Sequence, residues 1–148
     1  MNASLVRSTD RRVFRRALAV VVAMHGLIHL IGFVVPWGIA HVEGFSYRTS
    51  ALIGAIALGD AGARAVGIIW LACAIGFVIA AVGIWRGDAW ALPLTAALAV
   101  LSIVVCVLGL PEAIAGIVVN AVILGAVTVA AFVYPSLPSL PNLPRTAR

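Results

Sequence analysis

ALAVVVAMHGLIHLIGFVVPW, residues 17–37, decides the fold. No Asp, Glu, Lys or Arg interrupts it. A helix rises ~1.5 Å per residue, so roughly 20 residues cross a hydrocarbon core ~30 Å thick. Three further runs match it in length and purity: Ala65 to Trp85, Trp90 to Leu110, and Ala113 to Val133. Four such runs specify an all-α integral membrane four-helix bundle. They use up the chain, so one unit over residues 1–134 is expected, followed by a tail at 135–148.

The composition agrees. Hydrophobic residues make up 64% of the chain and charged residues only 10%. A soluble domain is about half apolar and roughly a quarter charged. The net charge of +5 is not a nucleic-acid signature. Arg7, Arg11, Arg12, Arg15 and Arg16 stand just ahead of the first run, where they anchor a helix against anionic headgroups. Phe14 is the single aromatic among them, and the repeated aromatic–basic interleaving that stacks on bases is missing. Asp10-Arg11-Arg12-Val13-Phe14 is faintly similar to a twin-arginine export signal, but the apolar run behind it is too long and lacks a cleavage site. It reads as a retained helix.

Arginine placement sets the expected orientation. Arg86 lies between runs two and three, and Arg145 and Arg148 close the tail. Both termini should therefore be cytoplasmic and residues 39–63 should face outward. Trp37, Trp85, Trp90 and Tyr134 fall at span ends, where amphipathic rings prefer the interface. Arg86-Gly87-Asp88 and Pro111-Glu112 are links short enough to force antiparallel neighbours. Glu112 suits the first turn of span four, and Asp60 the N-cap of span two.

One connection is long. The loop between spans one and two carries His41, Tyr47, Arg48 and Asp60, then the apolar stretch Leu52 to Leu58. Long ordered loops are usually functional. This one is expected to fold back as a lid or hairpin over the outer mouth, burying that stretch. The tail repeats Pro at 135, 138, 141 and 144 and should be extended.

Polar residues inside the spans carry the candidate chemistry. Counted from the outward span ends, His29, Cys73, Ser102 and Asn120 reach a common depth near the midplane, with His25 one turn deeper. His25, His29, Gly32 and Pro36 share a helical face. Cys73, Gly76, Ala80 and Gly83 mark a second face, Thr95, Ser102, Cys106 and Gly109 a third, Gly116 and Asn120 a fourth. Small residues mark contact faces in membranes. Spans one and four are therefore expected to be neighbours, with His29 in direct or water-bridged reach of Asn120.

Four roles compete for the histidine pair. Spacing of i, i+4 lets His25 and His29 bind one metal, with Cys73 the sole partner on a neighbouring helix. A haem would have one axial His. A proton relay, or a polar contact to a quinone, sterol or lipid, needs only one His and Asn120. The last role is structural: neutral imidazoles bonded to Asn120, Ser102 or backbone carbonyls, joining helices. No Ser-His-acid set can be assembled, because the acids lie at span ends. Cys73 and Cys106 sit in different spans without a CxxC, so no disulfide framework is expected.

Met24-His25-Gly26-Leu27-Ile28-His29-Leu30-Ile31-Gly32-Phe33, with Leu58-Gly59-Asp60-Ala61-Gly62 and Gly67-Ile68-Ile69-Trp70-Leu71, resembles a group of small four-span bacterial proteins. Those are usually labelled hypothetical or "ABC transporter permease". Four-helix topology gives a weaker resemblance to DoxX-like proteins. The resemblance implies a bacterial inner-membrane protein and supplies neither mechanism nor ligand. The expected role is non-enzymatic binding or an accessory subunit, as a homo-oligomer or within a larger complex. Its alternative is membrane-embedded redox, metal or haem handling through His25 and His29.

Overall fold

The computed structural model describes residues 3–133. The Pro-rich tail and Tyr134 lie outside them, as does the expectation attached to each. Five helices and one small hairpin follow in order: α1 (Ala3–Ile28), α2 (Ile31–Val34), β1 (Ser50–Ala51), β2 (Ile56–Ala57), α3 (Gly59–Arg86), α4 (Ala91–Leu108) and α5 (Ile114–Val133). Four segments are long and apolar enough to cross a membrane: Asp10–Val34, Gly59–Arg86, Ala91–Leu108 and Ile114–Phe132.

Helix bounds differ from the apolar runs for local reasons. α1 starts at Ala3 rather than near Ala17, because the arginine segment continues the same helix. The α1–α2 rod tightens at the second histidine. His29 N–H donates to Gly26 O and Leu30 N–H to Leu27 O, both at 3.1 Å, so the i→i−4 ladder gives way to i→i−3 bonds. Beyond α2 the chain makes one more turn and stops at Gly38, φ +65°. Ile39 N–H reaches back to Val34 O at 2.9 Å, the six-to-one bond of a Schellman end. α3 ends the same way at Gly87, φ +86°, with Asp88 N–H on Gly83 O at 2.9 Å. Both positions need the left-handed backbone that glycine adopts without strain.

Two capping expectations are corrected. α3 begins at Gly59, so Asp60 sits inside its first turn rather than at the N-cap, which is Leu58. Glu112 precedes α5 rather than opening it, and α5 has no acid in its first turn. Both carboxylates are engaged by the loop instead.

Helices pack in chain order, α1 and α2 on α3, α3 on α4, and α4 on α5. α1 and α5 meet only over a short stretch, so they are neighbours with a narrow seam. The core is small and apolar: Leu18, Val22, Phe77, Ala81, Ala99 and Ile123 are among its members. The expected small-residue faces are contact faces. A Cβ on Gly26 would stand 2.8 Å from Phe77 Cβ, and one on Gly32 would stand 2.3 Å from Trp70 Cδ2. Polarity is inverted relative to a soluble bundle. Phe132 is 82% exposed and Val122 63%, while His29, Ser102 and Asn120 are buried.

Between Gly38 and Gly59 the chain folds back on the bundle. Ser50 pairs with Ala57 and Ala51 with Ile56 in a two-stranded antiparallel hairpin. Its turn docks on α4, where Leu52 N–H donates to Leu108 O at 3.1 Å. The expected burial of Leu52 to Leu58 is not found. Ala51 is buried, but Ile53 is 73% exposed and Ile56 42%. The turn takes left-handed φ at Leu52, Ile53 and Gly54, which swings the Ile53 side chain outward.

Candidate functional site

His25 and His29 point into the bundle, 3% and 1% exposed. Their rings meet edge to face with centroids 4.5 Å apart. Phe77 flanks both, 5.1 Å from His25 and 5.3 Å from His29, and Trp70 lies 5.0 Å from His29. Gly26 and Gly32 permit this, because only a residue without a Cβ lets α1 and α2 approach those rings so closely.

Four side chains close a hydrogen-bonded cycle, and its proton positions can be deduced. Asn120 Nδ2 lies 2.8 Å from Gly116 O, which only accepts, so this atom is the amide nitrogen. Asn120 Oδ1 is then the acceptor facing His25 Nε2 at 3.1 Å, and His25 carries its proton on Nε2. His29 Nδ1 lies 2.9 Å from the His25 carbonyl, so His29 carries its proton on Nδ1. In the neutral ring its Nε2 then accepts from the Ser102 hydroxyl at 2.6 Å. Ser102 in turn accepts from Asn120 Nδ2 at 2.7 Å. Every one of these bonds is satisfied with both imidazoles neutral and in opposite tautomers.

Compared with the sequence expectation, the pairing is exchanged. Asn120 bonds His25 directly and reaches His29 through Ser102 rather than directly or through water. Cys73 is fully buried but enters no hydrogen bond of the cycle. Cys106 comes closer, with Sγ 3.9 Å from Ser102 Oγ. Among the described residues no three of His, Cys, Asp and Glu come together as a metal ligand set. Both ring nitrogens of His29 are already engaged, so a metal or haem iron there would have to displace Ser102 or the His25 carbonyl.

Above the cycle, toward the hairpin, α1–α2 and α5 part. A cavity of about 230 Å³ opens between them, with His25 and His29 in its wall and Ile28, Val66, Trp70 and Val119 beside them. Arg48 and Glu112 also line it and pair at 2.6 Å. Tyr47 donates its hydroxyl to Asp60 Oδ1 nearby. The Asp60 carboxylate, holding that proton, keeps the Tyr47 phenol above its usual range. His41 is exposed and belongs to neither contact. The residues not expected at the site are Trp70, Phe77 and Glu112, the last expected only as a helix-end acid. The available signal for the rings was the glycine spacing on α1–α2; the Arg48–Glu112 contact across the fold had none in the sequence. Comparison with family models, curated proteins and solved structures gives no match for this chain.

Proposed function

We propose that this chain is a multi-pass protein of a bacterial inner membrane that binds a small lipophilic molecule through a hydroxyl-bearing headgroup, without catalysis of its own. The observation that carries the reading is the apolar cavity ending on the histidine pair. Inverted polarity of the bundle supports the membrane setting, since buried polar groups and exposed apolar ones suit lipid as solvent. The deduced tautomers narrow the headgroup. His25 commits Nε2 to Asn120, which leaves its Nδ1 lone pair as the acceptor of the pair not used by the cycle. A hydroxyl or N–H on the ligand is the complementary group. Drug-sized sites run ~300–1,000 Å³. A cavity of about 230 Å³ takes a ring or headgroup, with any chain leaving between α1–α2 and α5. The same reading puts the arginine end in the cytoplasm and the hairpin outside. It makes the protein an accessory or carrier subunit, self-associated or held in a larger complex, as the bacterial resemblance suggests.

The test is stabilisation of the purified protein. A short-chain hydroquinone and a sterol are each added in detergent, alongside the quinone and the sterol ketone that lack the hydroxyl. A rise in melting temperature specific to a hydroxyl form, lost in His25→Leu, is the expected result. No stabilisation by any of the four would sink the proposal. A visible haem band or stoichiometric metal in the preparation would replace it with the redox or metal alternative.

A further inference from the structure

The other end of the bundle holds a second cavity of about 310 Å³, bounded by the start of α1, the end of α3, the start of α4 and the end of α5. Arg11, Arg12 and Arg15 line it on one side, and Leu18, Ile84 and Leu92 supply an apolar floor. One acid borders it, Asp88, and that side chain pairs with Arg86 at 3.7 Å. No described carboxylate forms an ion pair with Arg12 or Arg15. Arg15 is seated rather than paired. Its guanidinium packs over Gly87, where a Cβ would come 2.5 Å from Nη1, and its Nε is buried without a hydrogen-bond partner. Buried donors are nearly always satisfied, so the orphan marks a guanidinium that the chain's own acceptors leave incomplete beside a cationic cleft. Arg16 lies 5.3 Å over the Trp85 ring and marks this end as headgroup depth.

We infer that this cleft binds one anionic phospholipid, its phosphate on Arg12 and Arg15 and its first acyl carbons against Leu18, Ile84 and Leu92. Phosphate suits the planar guanidinium fork. A free phosphate would satisfy the arginines and leave the apolar floor bare; a lipid covers both. The inference needs the membrane reading and is independent of the histidine cavity.

Purified full-length protein in neutral detergent is titrated with phosphatidylglycerol, with phosphatidylcholine of the same acyl chains, and with inorganic phosphate, and bound molecules are counted by native mass spectrometry. One phosphatidylglycerol should bind ahead of phosphatidylcholine. Arg12→Gln and Arg15→Gln should each weaken it about fivefold, the change that ~1 kcal/mol per basic side chain corresponds to. Ala89→Trp fills the cleft from its exposed edge with all charges intact, and should remove the preference. Equal binding of the two lipids would overturn the inference. Full competition by inorganic phosphate would overturn the lipid assignment. A preference surviving Ala89→Trp would reduce the effect to diffuse charge attraction and overturn the site.

Discussion

At the scale of single residues, Ser102 is the hub. It is the one group that both accepts from Asn120 and donates to His29. Ser102→Ala therefore strands an amide donor and an imidazole acceptor together. A buried polar group left unpaired costs about 1–3 kcal/mol, and hydrogen bonds between membrane helices average ~0.6 and reach ~1.7 kcal/mol. A loss of about 1–2 kcal/mol in unfolding free energy is expected, measured by denaturant titration in mixed micelles; an unchanged midpoint would mean that the cycle contributes nothing. The tautomers give a sharper test. Nitrogen-15 spectra of the histidines should show His25 protonated on Nε2 and His29 on Nδ1. Identical tautomers would refute the deduced cycle. Sequence alone brought Ser102, Asn120 and both histidines to the same region, because an unpartnered polar group in hydrocarbon is costly and such groups seek one another. It assigned Asn120 to His29, whereas the direct partner is His25. One turn separates the two imidazoles, ~5–6 Å of rise, and counting depth along a helix resolves no finer. Rotation about the axis decides, and that is set by Gly26 and Gly32 closing on Phe77 and Trp70.

At the scale of elements, packing tests the glycine faces. Gly32→Ala places a methyl inside the Trp70 ring and should cost about 1–3 kcal/mol, the usual range for overpacking. Gly125→Ala, in α5 with nothing within 4 Å of the new Cβ, should be neutral or stabilise by up to ~1 kcal/mol through helix propensity. Paired thermal melts check both, and equal effects would mean that the α2–α3 seam is looser than its geometry. The Tyr47–Asp60 contact closes the loop on either side of the hairpin. The folded phenol titrates above its ordinary value of ~10. Such a group contributes stability that is fully present below the ordinary value and is lost as pH rises through the raised one. Phenolate absorption of Tyr47 should thus develop at higher pH than in Asp60→Asn. Coincident titrations would mean that the contact does not hold the loop in solution. The helices themselves were legible from length and polarity. Their ends were not: α1 runs on through an arginine segment that hydropathy reads as loop, and Asp60 and Glu112 were claimed by Tyr47 and Arg48 across the fold, contacts that no local pattern encodes.

At the scale of the whole molecule, the decisive quantity is orientation. The arginine-rich start of α1 and the Arg86-Gly87-Asp88 link come to one end of the bundle around the second cavity. The hairpin and the 109–113 turn come to the other around the first. Basic residues close to span ends are retained on the cytoplasmic side. The arginine end carries Arg11, Arg12, Arg15, Arg16 and Arg86 against Asp10 and Asp88, and the hairpin end carries Arg48 and Arg64 against Glu43, Asp60 and Glu112. A reporter inserted near Ser46 should therefore read external and one fused after Arg148 cytoplasmic. If the topology is inverted, the histidine cavity opens to the cytoplasm and the arginine cleft faces the outer leaflet. If all four membrane-length helices cross, the relation between the two reporters is fixed as well: with an even number of crossings the chain after α5 returns to the side on which α1 began. An external C-terminus together with a cytoplasmic N-terminus would require an odd number of crossings, and one of the four membrane-length helices would then have to lie outside the bilayer.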